Sequence, residues 1–181
     1  NVLTTDFITQ IIDDDCVRGL AVIHEGTDVL VKHGVNKKTA ESMVNLFGVS
    51  GICNILGAIK MAKYLKLGPN DNVVTVATDS FDRYPSVMEN LHERELEVTD
   101  HVLDRWFNDV FANANTNYIL DTRSKEMKEM LFKEKEDDWL KFGYKQEYLD
   151  AMRKPEFWEN EYNKVFEYDK KILAMRGKEI K

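Results

Sequence analysis

Three polar side chains follow a short apolar run near the middle of the chain, and they are the residues best suited to chemistry. Thr78, Asp79 and Ser80 come directly after residues 73–77, which are rich in β-branched side chains and show no alternation of polar and apolar positions. Such a run predicts a strand that is covered on both faces of a sheet. Ligands of open α/β sheets bind outside the carboxyl ends of the strands. A carboxylate between two hydroxyl groups at such a place could bind a heteroaromatic nitrogen, a phosphate or a sugar hydroxyl.

A helix is predicted immediately before this strand. Apolar residues recur at three- and four-residue spacing from residue 52 to residue 62, which predicts a helix with one apolar stripe. The Ser50 hydroxyl could cap its amino end, and Gly68 followed by Pro69 predicts its carboxyl end. Three lysines crowd its last turns, on a side that we expect to be exposed or favoured by the helix dipole: Lys60, Lys63 and Lys66.

The stretch from residue 48 to residue 86 resembles part of the cysteine synthases. Residues 48–52, Gly-Val-Ser-Gly-Ile, look like the Gly-Ile-Ser-Ser-Gly-Ala start of a helix in those enzymes. The strand and the loop with Arg83, Tyr84 and Ser86 look like their Pro-Ser-x-Gly-Glu-Arg-Tyr-x-Ser stretch. The family is that of the fold-type II pyridoxal-phosphate enzymes, the tryptophan synthase beta-chain superfamily. The chain resembles in particular a branch described as pyridoxal-phosphate-dependent protein subunit beta, or lyase/thiolase.

The resemblance implies that a residue after the strand meets the pyridine nitrogen of pyridoxal 5′-phosphate. Alignment on Arg83 and Tyr84 places Asp79 where the cysteine synthases have a serine, with Thr78 and Ser80 one step to either side. An ionised carboxylate there would favour a protonated pyridine and a stronger electron sink, whereas a hydroxyl would leave the nitrogen neutral. Asp79 could equally be an aspartate that caps the turn, in which case Thr78 or Ser80 makes the contact.

The resemblance also places Ser50 and Gly51 close to the cofactor ring, although plain helix capping explains Ser50 equally well. In the family, the Schiff-base lysine and the phosphate-cradling loop precede the matching stretch, so no catalytic residue is expected within this chain. The expected partner is the preceding amino-terminal segment of the same enzyme, either covalently joined or a separate chain, within a homodimer. The absence of an initiator methionine fits this expectation, and a complete small domain is the alternative.

The function implied by the resemblance is that of a lyase or synthase acting on a small amino acid. The substrate amine would replace the lysine on the cofactor, the lysine would remove the Cα proton, and a β-substituent would be lost or replaced. A pyridoxal-phosphate-dependent thiolase subunit that cleaves an amino-keto acid is one alternative. A second alternative, from another class, is a non-catalytic module whose helices bearing Trp106 and Trp158 dock a partner.

The predicted fold class is α/β, the carboxyl-terminal part of a fold-type II enzyme with a parallel sheet flanked by helices, followed by a helical extension. We place residues 1–98 in the cofactor-binding domain and residues 99–181 in the extension, because three aromatic residues precede residue 81 and sixteen follow from there. One helix of the extension, capped by Thr99, carries a stripe that we expect to be core or subunit interface. The stripe consists of Val102, Leu103, Trp106, Phe107, Val110 and Phe111.

Composition narrows the remaining function classes. The 181 residues carry a net charge of −7, which argues against nucleic acid or an anionic membrane surface as a partner. The sequence contains no apolar run long enough to span a membrane and no visible signal peptide. Cys16 and Cys53 form no CxxC pair, so we expect no zinc site and a reducing, cytoplasmic setting. A short strand is predicted at residues 6–12, and the aspartates at 13–15 should begin a helix rather than bind a metal.

Overall fold

Helices dominate the structure, a computed structural model that describes residues 2–95 and 97–177. The chain divides into a larger unit, Ile8–Leu120, and a smaller unit made of the described parts of Asn1–Phe7 and Asp121–Lys181. The predicted boundary between residues 98 and 99 lies within the larger unit. The helices are α1 (Asp13–Glu25), α2 (Thr27–Lys32), α3 (Lys37–Met43), α4 (Val49–Leu65), α5 (Pro85–Arg94), α6 (Asp100–Trp106), α7 (Lys125–Lys141), α8 (Gln146–Ala151) and α9 (Pro155–Met175).

Two short strands form the sheet that the described residues contain. Strand β1 (Phe7–Thr9) pairs antiparallel with β2 (Ile119–Asp121). Beyond the strands, the Gln10 amide donates to the Tyr118 carbonyl at 3.1 Å and the Thr122 amide donates to the Asp6 carbonyl at 2.9 Å. The centre of the strand predicted at residues 6–12 is therefore confirmed. The predicted parallel sheet is not found among the described residues, because none of their strands runs parallel to another.

The strand predicted at residues 73–77 is wrong for the described chain. These residues belong to no helix or strand, and every one of them is exposed. Val74 keeps 91% of its accessible surface and Val76 keeps 64%. The β-branched composition favours an extended backbone, but a strand also needs a neighbouring strand, and within the described residues no backbone–backbone hydrogen bond reaches residues 73–77.

Helix α4 confirms the predicted helix, but its ends differ from the prediction. Gly48 is the N-cap, so Ser50 lies in the first turn and does not cap the helix. The helix ends at Lys66, which adopts the left-handed conformation with φ 55°, two residues before Gly68. Lys60 is buried, contrary to the expectation that it is exposed. Its methylene chain lies in the interior while Nζ donates to the Gln10 carbonyl at 2.8 Å.

The core of the larger unit is built around α1. Asp13, Asp14 and Asp15 form the first turn of this helix, which confirms that they begin a helix. In its later turns, the side chains of Leu20 and Val22 are completely buried. Helices α4, α5 and α6 pack against α1, so one central helix fixes the positions of three others. The remaining buried apolar residues of this core include Ile52, Leu56, Met88, Leu91, Leu103, Trp106 and Val110.

The aromatic stripe after residue 99 belongs to this core. The Thr99 hydroxyl accepts a hydrogen bond from the Val102 amide at 3.4 Å, which confirms the predicted cap of α6. The helix continues as a π-helical segment, Phe107–Ala112. Leu103, Trp106 and Val110 are buried, which confirms the core interpretation. Trp106 is therefore not available to dock a partner, contrary to the interaction-module alternative.

The smaller unit has a separate core. Phe132 of α7, Leu149 of α8 and the following Met152 are buried together. Leu3, Trp139, Phe157 and Trp158 pack against them. Gly143 adopts φ 86° in the turn after α7, a conformation that glycine adopts readily. Pro155 begins α9, because its fixed φ suits the first turn of a helix. Within the described residues, no helix is both long enough and apolar enough to cross a membrane.

The buried contact of Lys60 gives a first prediction. Lys60→Met should lower the free energy of unfolding by about 1 kcal/mol, because it keeps the apolar chain but removes the hydrogen bond to the Gln10 carbonyl. Lys38→Met on the exposed side of α3 is the control and should change the value by less than about 0.5 kcal/mol. Urea denaturation measures both variants, and equal effects would show that the contact contributes nothing.

Candidate functional site

The candidate site is organised by a hydrogen bond between Tyr84 and Asp79. The Tyr84 hydroxyl donates to Asp79 Oδ2 at 2.7 Å, and the Thr78 hydroxyl donates to Asp79 Oδ1 at 3.3 Å. Both oxygens of the carboxylate thus accept from neutral hydroxyl groups. Within the described residues, no lysine, arginine or histidine forms a salt bridge with Asp79. The carboxylate is oriented but keeps an uncompensated charge.

The start of α4 lies directly against this pair. The Gly48 amide donates to the Asp79 carbonyl at 2.9 Å. A Cβ atom built on Gly48 would collide with Cε2 of the Tyr84 ring and would lie 2.5 Å from Asp79 Oδ1. Because real Cβ atoms essentially never make contacts this short, a side chain at position 48 would displace the Tyr84 ring and the Asp79 carboxylate from their present positions. The carboxylate is therefore held beside the amino end of α4, where the helix dipole favours a negative charge.

Ser50 joins the site through Tyr84. Ser50 lies near the Tyr84 hydroxyl and acts to lower the pKa of Tyr84, whereas Asp79 accepts the hydrogen bond of that hydroxyl. Gly51 is also buried in the first turn of α4, but a Cβ there would meet Phe47 only at an ordinary distance of 3.4 Å. Crowding at the site thus requires glycine at position 48, whereas at position 51 no such requirement exists.

Ser80 is turned towards a different carboxylate. Its hydroxyl donates to Asp82, and Thr78 donates to Asp79. Of the three polar residues predicted after residue 77, Asp79 alone therefore offers a charged acceptor at the site. The structure brings Thr78, Asp79 and Tyr84 into one hydrogen-bonded group, with Ser50 near the Tyr84 hydroxyl.

Three contacts fix the turn that carries these residues. The Phe81 amide donates to the Asn45 carbonyl at 3.3 Å, and the Phe81 ring stacks on His24 with centroids 3.5 Å apart. His24 Nδ1 in turn donates to the Val44 carbonyl at 2.8 Å. On the other side, Asn54 Nδ2 of α4 donates to the Val76 carbonyl at 2.9 Å. The turn is thus attached to the larger unit at both of its ends.

The electrostatics of the site follow from the ionised carboxylate. The hydrogen bond to Asp79 raises the pKa of Tyr84 above its usual 10.0, because it stabilises the protonated phenol; partial burial and the charge of Asp79 act in the same direction. The contact with Ser50 opposes this shift. Tyr84 therefore stays a neutral hydrogen-bond donor across the physiological range.

Sequence reasoning missed two residues of this group. Tyr84 and Gly48 both belong to the stretches that carry the resemblance, but nothing in the sequence predicts that either contacts Asp79. The signal that could have found them is the pairing of a glycine at a helix start with an aromatic residue in the turn after an apolar run. Among the described residues, no group of three or more histidine, cysteine, aspartate or glutamate side chains is arranged to hold a metal ion.

No protein-family model, curated protein or solved structure matches this chain.

The crowding at Gly48 gives a prediction about stability. Gly48→Ala should force the Tyr84 ring and the Asp79 carboxylate to move and should lower the free energy of unfolding by about 1–3 kcal/mol. Gly57→Ala, in the interior of the same helix, is the matched control, since its Cβ would meet only Thr9 Cγ2 at 3.8 Å. Alanine favours a helix, so the control should be neutral or more stable by up to about 1 kcal/mol. Thermal and urea unfolding compare the two, and a neutral Gly48→Ala would contradict the close approach.

The raised pKa of Tyr84 gives a prediction with a definite sign. A group whose pKa is raised on folding stabilises the folded state below its unfolded pKa and loses that contribution as pH rises through the folded value. Tyr84→Phe should therefore lower the free energy of unfolding by about 1 kcal/mol at pH 7, with the difference from wild type shrinking above pH 10. Urea unfolding at pH 7, 9 and 11 measures it. A difference that grows above pH 10 would show that Asp79 is not the partner.

Proposed function

We propose that this chain supplies the pyridine-binding residues of a pyridoxal-phosphate-dependent lyase or synthase that acts on a small amino acid by β-elimination or β-replacement. The observation that carries the proposal is the Asp79 carboxylate, which Tyr84 and Thr78 orient at the amino end of α4 without a cationic partner among the described residues. A carboxylate held in this way is suited to accept a hydrogen bond from a protonated heteroaromatic nitrogen.

The hydroxyl groups favour Asp79 over its neighbours as the contact to the ring. A neutral pyridine nitrogen needs a donor, but Thr78 donates to Asp79 and Ser80 donates to Asp82. A protonated nitrogen needs an acceptor, which Asp79 provides. An ionised carboxylate beside the ring nitrogen favours the protonated form. The residues present therefore fit the pyridine end of the cofactor.

Asp79 has a clear role in the proposed reaction. When bound, the cofactor supplies an electron sink for the electrons of the substrate Cα–H bond. Asp79 keeps the proton at the ring nitrogen and so strengthens that sink. Tyr84 holds Asp79 Oδ2 by its hydrogen bond, and Gly48 lets the carboxylate lie close to the amides at the start of α4.

The remainder of the cofactor site is proposed to come from another polypeptide segment. Lys60 and Lys63 are engaged by backbone carbonyls, of Gln10 for Lys60 and of Ala112 and Ala114 for Lys63, so neither is proposed as the Schiff-base lysine. The exposed residues 73–77 support this division, since their backbone would be completed by the neighbouring strand of a sheet. The lysine, the phosphate-binding loop and that strand would come from the segment that precedes this one in the resembling enzymes.

The two alternatives fare differently. A thiolase that cleaves an amino-keto acid would use the same contact between Asp79 and the ring, so substrate turnover is needed to separate it from a lyase. The interaction module now depends on the last helix alone, because Trp106 is buried. We retain the enzyme as the better supported function, since a module does not need an oriented carboxylate without a counterion.

The first experiment is an intact mass of the native protein combined with its visible absorption spectrum. A co-purifying or covalently joined segment together with absorbance of bound pyridoxal phosphate would support the proposal. A colourless protein that stays colourless after addition of pyridoxal phosphate would contradict it. Added borohydride followed by mass spectrometry would identify the lysine that carries the cofactor.

The role of Asp79 gives a prediction for the native protein with any segment that accompanies it. Asp79→Asn should weaken binding of pyridoxal phosphate by about 10- to 100-fold, because one hydrogen bond to a charged group is lost. It should also change the absorption and fluorescence of the cofactor that remains bound, since the ring nitrogen is no longer held protonated. Asp82→Asn is the matched control and should leave both properties unchanged. Equal spectra for wild type and Asp79→Asn would exclude contact with the ring nitrogen.

A further inference from the structure

A cavity in the larger unit lies apart from the candidate site. It offers about 40 Å³ to the centres of water molecules, which is room for several waters or for a ligand of a few non-hydrogen atoms. The start of α1 with the residues before it, the middle of α4, and the π-helical segment with the residues after it form the wall. None of the lining residues belongs to the group around Asp79. The charged residues of the lining are Lys60, Asp15 and Asp109.

Lys60 brings a positive charge to this cavity. The residue keeps 7% of its accessible surface, and its Nζ donates at 2.8 Å to the carbonyl of Gln10, another lining residue. An ammonium group has three N–H donors, and within the described chain this carbonyl is the one acceptor that Lys60 has. Burial of a charge costs free energy unless the charge is paired. Lys60 can therefore still donate to an anionic group of a ligand.

Asp15 and Asp109 bring negative charge to the same cavity. Asp15 is half-buried in the first turn of α1, and Asp109 is exposed in the π-helical segment. Among the residues that the structure describes, neither carboxylate forms an ion pair with Lys60 or with any other cation. The lining thus carries charges of both signs that do not neutralise one another by direct contact.

Two unusual backbone features form part of the wall. The segment Phe107–Ala112, which carries Asp109, is π-helical, and such segments are rare and frequently lie at functional sites. Tyr118 adopts φ 58°, in the left-handed region that residues other than glycine seldom occupy. The Gln10 amide donates to the Tyr118 carbonyl at 3.1 Å, so this conformation is tied to the residue that also binds Lys60.

The charges of the lining determine which ligand fits. A simple anion could bind Lys60 but would meet two carboxylates, and a simple cation would meet the buried ammonium group. A small zwitterion avoids both conflicts, because it has an acceptor for Lys60 and a donor for the aspartates. The rest of the lining suits a short aliphatic group, since it includes the apolar side chains of Ile11, Ile12, Leu56 and Val110.

We infer that this cavity binds a small aliphatic α-amino acid without a covalent bond. The carboxylate of the ligand accepts hydrogen bonds from Lys60 Nζ, and its ammonium group donates to Asp15 and Asp109. This inference does not depend on the proposed enzyme function, because it involves none of the residues that are proposed to contact the cofactor.

Isothermal titration calorimetry of the native protein with L-alanine tests the inference. L-alanine should bind with saturation at one site per chain. Propionate lacks the amine and ethylamine lacks the carboxylate, so each should bind more weakly by about tenfold or more. Asp79→Asn should leave the affinity for L-alanine unchanged, which separates this cavity from the proposed cofactor site.

Variants of the lining test which residues hold the ligand. Lys60→Met and Asp109→Asn should each weaken binding of L-alanine by about tenfold or more, because each removes one charged partner. Asp109 is exposed, so Asp109→Asn should fold normally even if Lys60→Met does not. Glu89→Gln, at an exposed position of α5 outside the cavity, is the matched control and should bind like wild type. Far-ultraviolet circular dichroism checks the fold of each variant.

Four results would overturn the inference. The first is no saturable binding of L-alanine at tens of millimolar. The second is equal affinity for propionate and L-alanine, which would indicate a site for simple anions. The third is wild-type affinity in folded Asp109→Asn. The fourth is loss of binding in Asp79→Asn, which would assign the bound amino acid to the cofactor site instead.

Discussion

The close approach of Tyr84 and Asp79 to the backbone of Gly48 is the constraint on which the candidate site depends. It joins the turn after residues 73–77 to the first turn of α4 at a distance that leaves no room for a Cβ at position 48 unless the Tyr84 and Asp79 side chains move. The hydrogen bond from the Gly48 amide to the Asp79 carbonyl fixes the same junction through the backbone. The absence of a Cβ at Gly48 and the hydrogen bond from the Gly48 amide therefore set the orientation of the Asp79 carboxylate. The Tyr84 hydroxyl then binds one of the two carboxylate oxygens.

The two sides of this junction differ in how well they are supported. The α4 side is part of the core around α1, where buried leucine, valine and isoleucine side chains hold the helix in position. The Asp79 side follows the exposed residues 73–77. A hydrogen bond from Asn54 Nδ2 to the Val76 carbonyl attaches this segment to α4. The Asp79 carboxylate therefore lies between a well-packed helix and an exposed segment. A strand added beside residues 73–77 would cover that segment without disturbing the core.

The sequence predicted those features that depend on local chemistry. The capping of α6 by Thr99 and the aspartate-rich first turn of α1 depend on residues within a few positions of each other, and both are found. The location of Asp79 after an apolar run was likewise predictable. The exposure of residues 73–77 was not predictable, because a strand depends on a neighbour that the run itself does not encode. The contact of Tyr84 with Gly48 depends on how two segments pack, and no periodicity of the sequence carries that information.

The exposed residues 73–77 also bear on how the chain behaves at high concentration. A β-branched segment without backbone–backbone hydrogen bonds can pair with the same segment of another molecule, as exposed edges of sheets do in aggregating proteins. Proteins usually protect such an edge with lysine, proline or a bulge, but this run of valine, threonine and alanine contains none of these. Residues 73–77 are therefore a place in the described chain where association between molecules would begin, and its extent should increase with protein concentration.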